Sequence, residues 1–222
     1  MALAVGGTGL GIRSMVAGAA LRLEASESPA AAPKKAPVIA STAEVYYCTE
    51  QMKTVLRRVL TNCGLIGGGR RGCQPGELRQ VAAIDDADFN ALFKPLDKRA
   101  GILLFDPNKF ELDPGARELA EKLWVDQRGA SYFFIVGRAS PDGPADLNQK
   151  LSHQRVNSVL FGLQERFKDP ELEQKVGLLW LGEEYAQLGP EFCSWQSSRP
   201  GVDCDAEKIN RSVIVSWIDC RL

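Results

Sequence analysis

From residue 100 onward the sequence predicts an α/β domain, a mixed β-sheet covered by helices. Four short apolar runs carry that expectation: GILLF at Gly101–Phe105, SYFFIVG at Ser131–Gly137, VGLLWL at Val176–Leu181 and SVIVSWI at Ser212–Ile218. Their length and their content of branched and aromatic residues suit strands buried on both faces. Amphipathic stretches of helical period lie between them, Pro114–Val125 and Asp146–Phe167 above all. The connections are long enough for the crossovers that parallel pairs of strands require.

The residues ahead of this region differ in kind. Met1–Leu23 is rich in Ala, Gly, Val and Leu but is interrupted by Arg13 and Arg22. It lacks the roughly 20 uninterrupted apolar residues of a membrane-spanning helix. It also lacks the charged stretch that opens a secretory signal. It reads as a degraded export signal or a marginal membrane anchor. Ser26–Pro37 is a Pro/Ala-rich linker, so residues 1–40 are expected to form a flexible N-terminal segment. Residues 41–99 are expected to form a small helical subdomain containing cysteines. In it Thr42–Cys63 has helical spacing at Val45, Met52, Val55, Leu56, Val59 and Leu60. Gly64–Gly76 is a basic, glycine-rich loop, and Asp85–Leu96 is a short amphipathic helix with Asp85 or Asp86 as N-cap. Residues 100–222 make the main domain, in which Glu183–Ala206 is the long loop.

Composition narrows the chemistry. Of 222 residues, 45% are hydrophobic and 25% charged, as in ordinary soluble domains. Lys and Arg number 27 against 28 Asp and Glu, so no global basic field exists to hold a nucleic-acid backbone. One histidine in the whole chain leaves little room for a His-based metal site or triad. The run Gly67–Gly72 formally matches G-x-G-x-x-G, but it follows a helix with no βαβ unit around it and reads as a flexible loop. Ser152 and His153 are adjacent on a helix and point in divergent directions, so they do not make a nucleophile–base pair. No catalytic constellation, metal site or cofactor is expected.

The cysteines, Cys48, Cys63, Cys73, Cys193, Cys204 and Cys220, are even in number and contain no C-x-x-C pair. Such scattered spacing suits disulfides in an oxidising compartment, with buried free thiols of a cytosolic protein as the plain alternative.

The long helix Asp146–Phe167 is the most informative element. Leu151, Val156, Val159, Leu160, Leu163 and Phe167 define its inward side, and Asn148, Ser152 and Arg155 lie on or beside that side in the first turns. A buried arginine needs an anionic partner. Two readings follow: a polar pocket that receives a carboxylate, or an internal pair of Arg155 with an Asp or Glu that holds the fold.

These same residues carry a family resemblance. Gly137-Arg-Ala-Ser-Pro-Asp-Gly143 followed by Asn148-x-x-Leu151-Ser152-x-x-Arg155-x-x-x-Val159 resembles the OmpA-like, peptidoglycan-associated domain, whose pattern is G-[HY]-T-D-x-x-G and then N-x-x-L-S-x-x-R-A-x-x-V. Leu104-Phe105-Asp106 through Leu112 is similar to its first-strand motif, and Asn210-Arg211-Ser212-Val213 to its closing N/D-R-R-V strand. The resemblance covers about residues 100–220.

What it implies is non-covalent capture of the peptidoglycan stem peptide through diaminopimelate, without enzymatic activity. Arg155 matches the family arginine that pairs with the ligand carboxylate. The position of the aspartate that pairs with the ligand ammonium is occupied by Ser140, with Ala139 before it and Asp142 two residues on. The implied binding residues are Phe105, Asp106, Ser140, Asp142, Asn148, Leu151 and Arg155. A disulfide joining Cys193 to Cys204 fits the loop before the last strand, where some such domains carry one. Cys48, Cys63 and Cys73 lie close in sequence, and Cys220 takes a partner among them if the N-terminal subdomain docks against the last strand. The resemblance implies a periplasmic module associated with the cell envelope and outer membrane, with peptidoglycan and other envelope proteins as partners and a possible membrane tie through the N-terminal segment. The alternative is an OmpA-like protein–protein scaffold of a secretion or motility machine whose peptidoglycan capture is weakened or lost.

Overall fold

Four apolar runs become strands at the positions their composition marks, and a fifth, two-residue strand joins them. The computed structural model describes residues 48–62, 66, 72–73, 93–127, 130–170, 172–183, 187–220 and 222. In chain order the elements are α1 (Glu50–Asn62), β1 (Gly72–Cys73), β2 (Ala100–Leu104), α2 (Pro114–Asp126), β3 (Tyr132–Gly137), α3 (Ala145–Phe167), α4 (Leu172–Lys175), β4 (Val176–Trp180), α5 (Ala206–Asn210) and β5 (Ser212–Ile218). The segment 1–40, most of the glycine-rich loop and the first turns of the helix expected from Asp85 lie outside the described residues.

The sheet order is β1-β4-β3-β5-β2. β4 pairs in parallel with β1 and with β3, whereas β5 runs antiparallel to both of its neighbours, β3 and β2. This is the mixed sheet that the crossover lengths predict. Ile135 marks its centre, opposite Leu178 on one side and Val215 on the other.

Both faces of the sheet are buried, because successive residues of a strand point to opposite sides. Phe133 and Ile135, with Leu103, Val213 and Val215, join Leu119 and Leu123 of α2 and Val156, Val159 and Leu163 of α3 in one apolar cluster. Phe134 and Val136, with Ile102, Leu179 and Ile214, join Met52, Leu56, Val59 and Leu60 of α1 in the other. The described parts of residues 41–99 are therefore built into the same unit as the sheet, supplying an edge strand and the helix over its second face.

Local chemistry sets several boundaries. Asp113 caps α2, its carboxylate accepting from the backbone N–H of Ala116 at 2.7 Å, and Pro114 fills the first helical position, where a missing N–H costs nothing. The helix expected to run through Leu96 is instead 3₁₀ over Lys94–Arg99. Pro95 in its first turn removes an N–H donor and crowds the preceding turn, which interrupts an α-helix there.

Two disulfides are described. Cys193 is joined to Cys204, and Cys48, just ahead of α1, is joined to Cys220, just past β5. The second pair docks the N-terminal helix against the last strand.

Gly137 lets α3 approach the end of β3. A Cβ at this position would lie 2.5 Å from the carbonyl oxygen of Ser152 and 2.6 Å from Val156 Cγ2. Gly137→Ala is expected to force α3 outward and to lower stability by about 1–3 kcal/mol, the range for overpacking a close contact, as read by chemical denaturation. An unchanged midpoint and slope would contradict this account of the helix–strand contact.

Candidate ligand-binding site

The close approach at Gly137 brings the first turns of α3 to the carboxyl end of β3, where the inward face of the helix turns polar. Asn148, Ser152 and Arg155 are all buried there, in line with the apolar residues Val156, Val159 and Leu163 further along. Ser152 fixes the junction: its hydroxyl donates to the Gln149 carbonyl at 2.8 Å and accepts from the Gly182 N–H at 2.9 Å.

Arg155 has 0% of its surface exposed. Its guanidinium is held by backbone carbonyls from two segments. Nε donates to Lys109 O at 2.9 Å, Nη1 to Arg138 O at 2.9 Å and Nη2 to Asp106 O at 3.4 Å. The Phe105 ring lies beneath, its centroid 5.1 Å from Arg155 Cζ. The turn that presents two of these carbonyls closes with Lys109 N–H donating to Asp106 O at 3.1 Å, and Asn108 within it adopts φ 59°. Left-handed backbone suits asparagine better than most side chains.

Among the described residues Arg155 has no carboxylate partner, so the reading of an internal Arg–Asp/Glu pair is overturned. Carbonyl dipoles replace the acid. Burial, with a smaller contribution from the neighbouring Arg211, lowers the Arg155 pKa to about 10, and the side chain remains charged at neutral pH.

A cavity of about 220 Å³ lies beside this arginine, lined by Pro107, Asn108, Ala139, Ser140, Asp142, Asn148, Leu151, Arg155, Glu207 and Arg211. Five of the residues named from the sequence thus meet in one place: Ser140, Asp142, Asn148, Leu151 and Arg155. Ser140 and Asn148 are 6% and 4% exposed, whereas Asp142 lies at the exposed rim. Asn148 Nδ2 donates to Glu183 Oε2 at 2.6 Å. Phe105 and Asp106 do not line the cavity; they support Arg155 from the other side.

The Asp106 carboxylate is engaged elsewhere. Arg199 Nη1 pairs with it at 2.6 Å, and the same guanidinium pairs through Nη2 with Asp113 at 2.8 Å. Arg199 belongs to the loop that the Cys193–Cys204 disulfide closes, so this loop braces the turn that cages Arg155.

Sequence reasoning overlooked four contributors. Arg211 and Glu207, paired at 3.4 Å one helical turn apart, reach the cavity from the segment before β5. Glu183 and Arg199 come from the long loop, where no periodic signal exists. Arg211 stands within the segment that resembles the family's closing-strand motif, which by itself assigns it no place in the site. Among the described residues no group of three His, Cys, Asp or Glu is placed to hold a metal ion.

No family model matches the chain, and no curated protein matches it in sequence. Among solved structures it is similar to the OmpA-like domain of FopA1 from Francisella tularensis, at 16% identity over 54% of this chain and 74% of that one, with a TM-score of 0.38. It is similar to the peptidoglycan-associated lipoprotein from Burkholderia pseudomallei, at 18% identity over 55% and 92% of the two chains, TM-score 0.36. A third is the periplasmic domain of Helicobacter pylori MotB, at 12% identity over 52% and 70%, TM-score 0.37.

The Arg199 pair has a titration signature. Its hydrogen bond holds the Asp106 carboxyl below the usual value of 3.8. A carboxylate with a depressed folded pKa contributes stability above its unfolded pKa and loses it as pH falls through the lower folded value. Asp106 is therefore expected to remain ionised at a pH where free aspartate is half protonated, and to return to the ordinary range in Arg199→Ala. Side-chain carboxyl shifts followed by NMR across an acid titration check both; an ordinary Asp106 titration in the wild-type protein would refute the bracing contact.

Proposed function

We propose that this chain is a non-catalytic peptidoglycan-binding module of the periplasm, anchoring an assembly of the cell envelope and outer membrane through the diaminopimelate-containing stem peptide. One observation carries the proposal: a fully buried arginine, caged by carbonyls and without an acid partner among the described residues, borders a cavity of about 220 Å³. A guanidinium offers five N–H donors in a planar fork. The three carbonyls use one from each nitrogen, which leaves one on Nη1 and one on Nη2, the two that a carboxylate accepts in bidentate fashion. Ser140, Asp142, Asn148 and Leu151 are the other residues assigned to the ligand, with Phe105 and Asp106 assigned to supporting Arg155. The Cys48–Cys220 and Cys193–Cys204 disulfides support an oxidising compartment. The protein's partners on this reading are peptidoglycan and neighbouring envelope proteins.

A second reading is favoured by Ser140. Without a carboxylate at that position, the fold serves as a protein–protein scaffold of an envelope secretion or motility machine, with peptidoglycan capture weakened or lost.

Co-sedimentation with purified sacculi separates the two. Arg155→Lys keeps the charge but removes the fork, and it is expected to weaken wild-type binding by about tenfold or more. Thermal denaturation of the same variant controls for folding, since all three carbonyls lose geometry together. Binding that emerges only in Ser140→Asp supports the scaffold. Wild-type binding unaffected in a folded Arg155→Lys would remove Arg155 from the site.

A further inference from the structure

We propose that the pocket reads a carboxylate whose neighbouring nitrogen is acylated rather than a free ammonium, so that it accepts cross-linked stem peptide at least as readily as uncross-linked. The inference rests on the proposed function and specifies its ligand. It follows from the distribution of charge within the cavity.

The interior holds positive charge and neutral polar groups. Arg155 is buried, and Arg211 is largely so, with 14% of its side chain exposed. Arg211 lies close enough to disfavour the charge on Arg155 electrostatically. The buried polar groups beside them are the hydroxyl of Ser140 and the carboxamide of Asn148, whose Nδ2 is already committed to Glu183. The lining carboxylates, Asp142 and Glu207, are exposed, and Glu207 is shared with Arg211.

An alkylammonium placed beside Ser140 and Asn148 would lose its hydration with no buried carboxylate in the cavity lining to replace it, since the half-buried Glu183 stands behind Asn148 and is engaged by its amide. It would also meet two guanidiniums of like sign. Exposed acids at the rim are screened by water and offset little of that cost. An amide at the same position is neutral, and a serine hydroxyl both donates to its carbonyl and accepts from its N–H. The lining therefore suits a carboxylate next to an amide. In diaminopimelate the amine beside the side-chain carboxylate is the one that a peptidoglycan cross-link acylates, which turns an ammonium into an amide without altering the carboxylate.

The test uses the full chain and three synthetic tripeptides, L-Ala-γ-D-Glu followed by meso-diaminopimelate with its terminal amine free, the same residue with that amine acetylated, or L-Lys, which lacks the carboxylate. Affinities are measured by calorimetric titration. The acetylated diaminopimelate peptide is expected to bind at least as tightly as the free one, and the lysine peptide more than about tenfold more weakly than the acetylated peptide. In Ser140→Asp the preference is expected to move toward the free amine by about tenfold or more, as a buried carboxylate then faces the ammonium. A wild-type preference for the free amine of tenfold or more overturns the inference and leaves the carboxylate reading of Arg155 standing. Equal binding of the lysine peptide, or binding of none of the three, overturns the carboxylate reading and the inference with it.

Discussion

The site depends on one arrangement, a guanidinium whose counter-charge is supplied by peptide dipoles instead of an acid. Carbonyls of Asp106 and Lys109 come from the turn after β2, and that of Arg138 from the end of β3, so a side chain of α3 ties two strand ends together. Burying a charge this way is tolerable only if the carbonyls are held where the fork needs them. The left-handed Asn108 shapes the turn, and Arg199 grips the carboxylate of Asp106 while also gripping Asp113, the cap of α2. The cage, the helix cap and the disulfide-closed loop form one connected set of polar contacts at the rim of the sheet.

A sheet covered on both sides explains the role of α1. Its residues Met52, Leu56, Val59 and Leu60 sit with Phe134, Val136 and Ile214, a face that α2 and α3 leave untouched. Exposed, that face would be a broad apolar surface in water, prone to association. The pair Cys48–Cys220 holds the helix at the point where β5 ends, so the cover is secured covalently as well as by burial.

Much of this was legible in the sequence because periodicity reports burial. The four longer strands and the inward face of α3, including its polar first turns, follow from side-chain alternation and helical spacing. A shared loop, together with the family resemblance, paired Cys193 with Cys204. Other features left no local trace. β1 is two residues long, too short for any alternation, and is a strand only because β4 lies beside it. Residues 41–99 read as a separate helical unit because the apolar stripe of α1 does not say which surface it covers. The acid partner anticipated for Arg155 is replaced by main-chain oxygens, which every residue possesses and no pattern reveals. Glu183, Arg199 and Arg211 reach the site by tertiary folding across long separations, and only Arg211 stood in a recognisable motif.

The position of β5 has a consequence for how the domain assembles. This strand follows the other described strands in chain order, yet it lies between β3 and β2 and bonds to both. Until it is made, β2 has no neighbour in the sheet on that side, Cys48 lacks its partner, and Arg211 is absent from the cavity wall. Without Ser212–Ile218 in place, β3 presents an open hydrogen-bonding edge on that side, the kind of edge that recruits foreign strands. One strand thus closes the sheet, completes the Cys48–Cys220 bridge beside it and follows directly on the arginine that walls the cavity, so a slip in its register would disturb all three together.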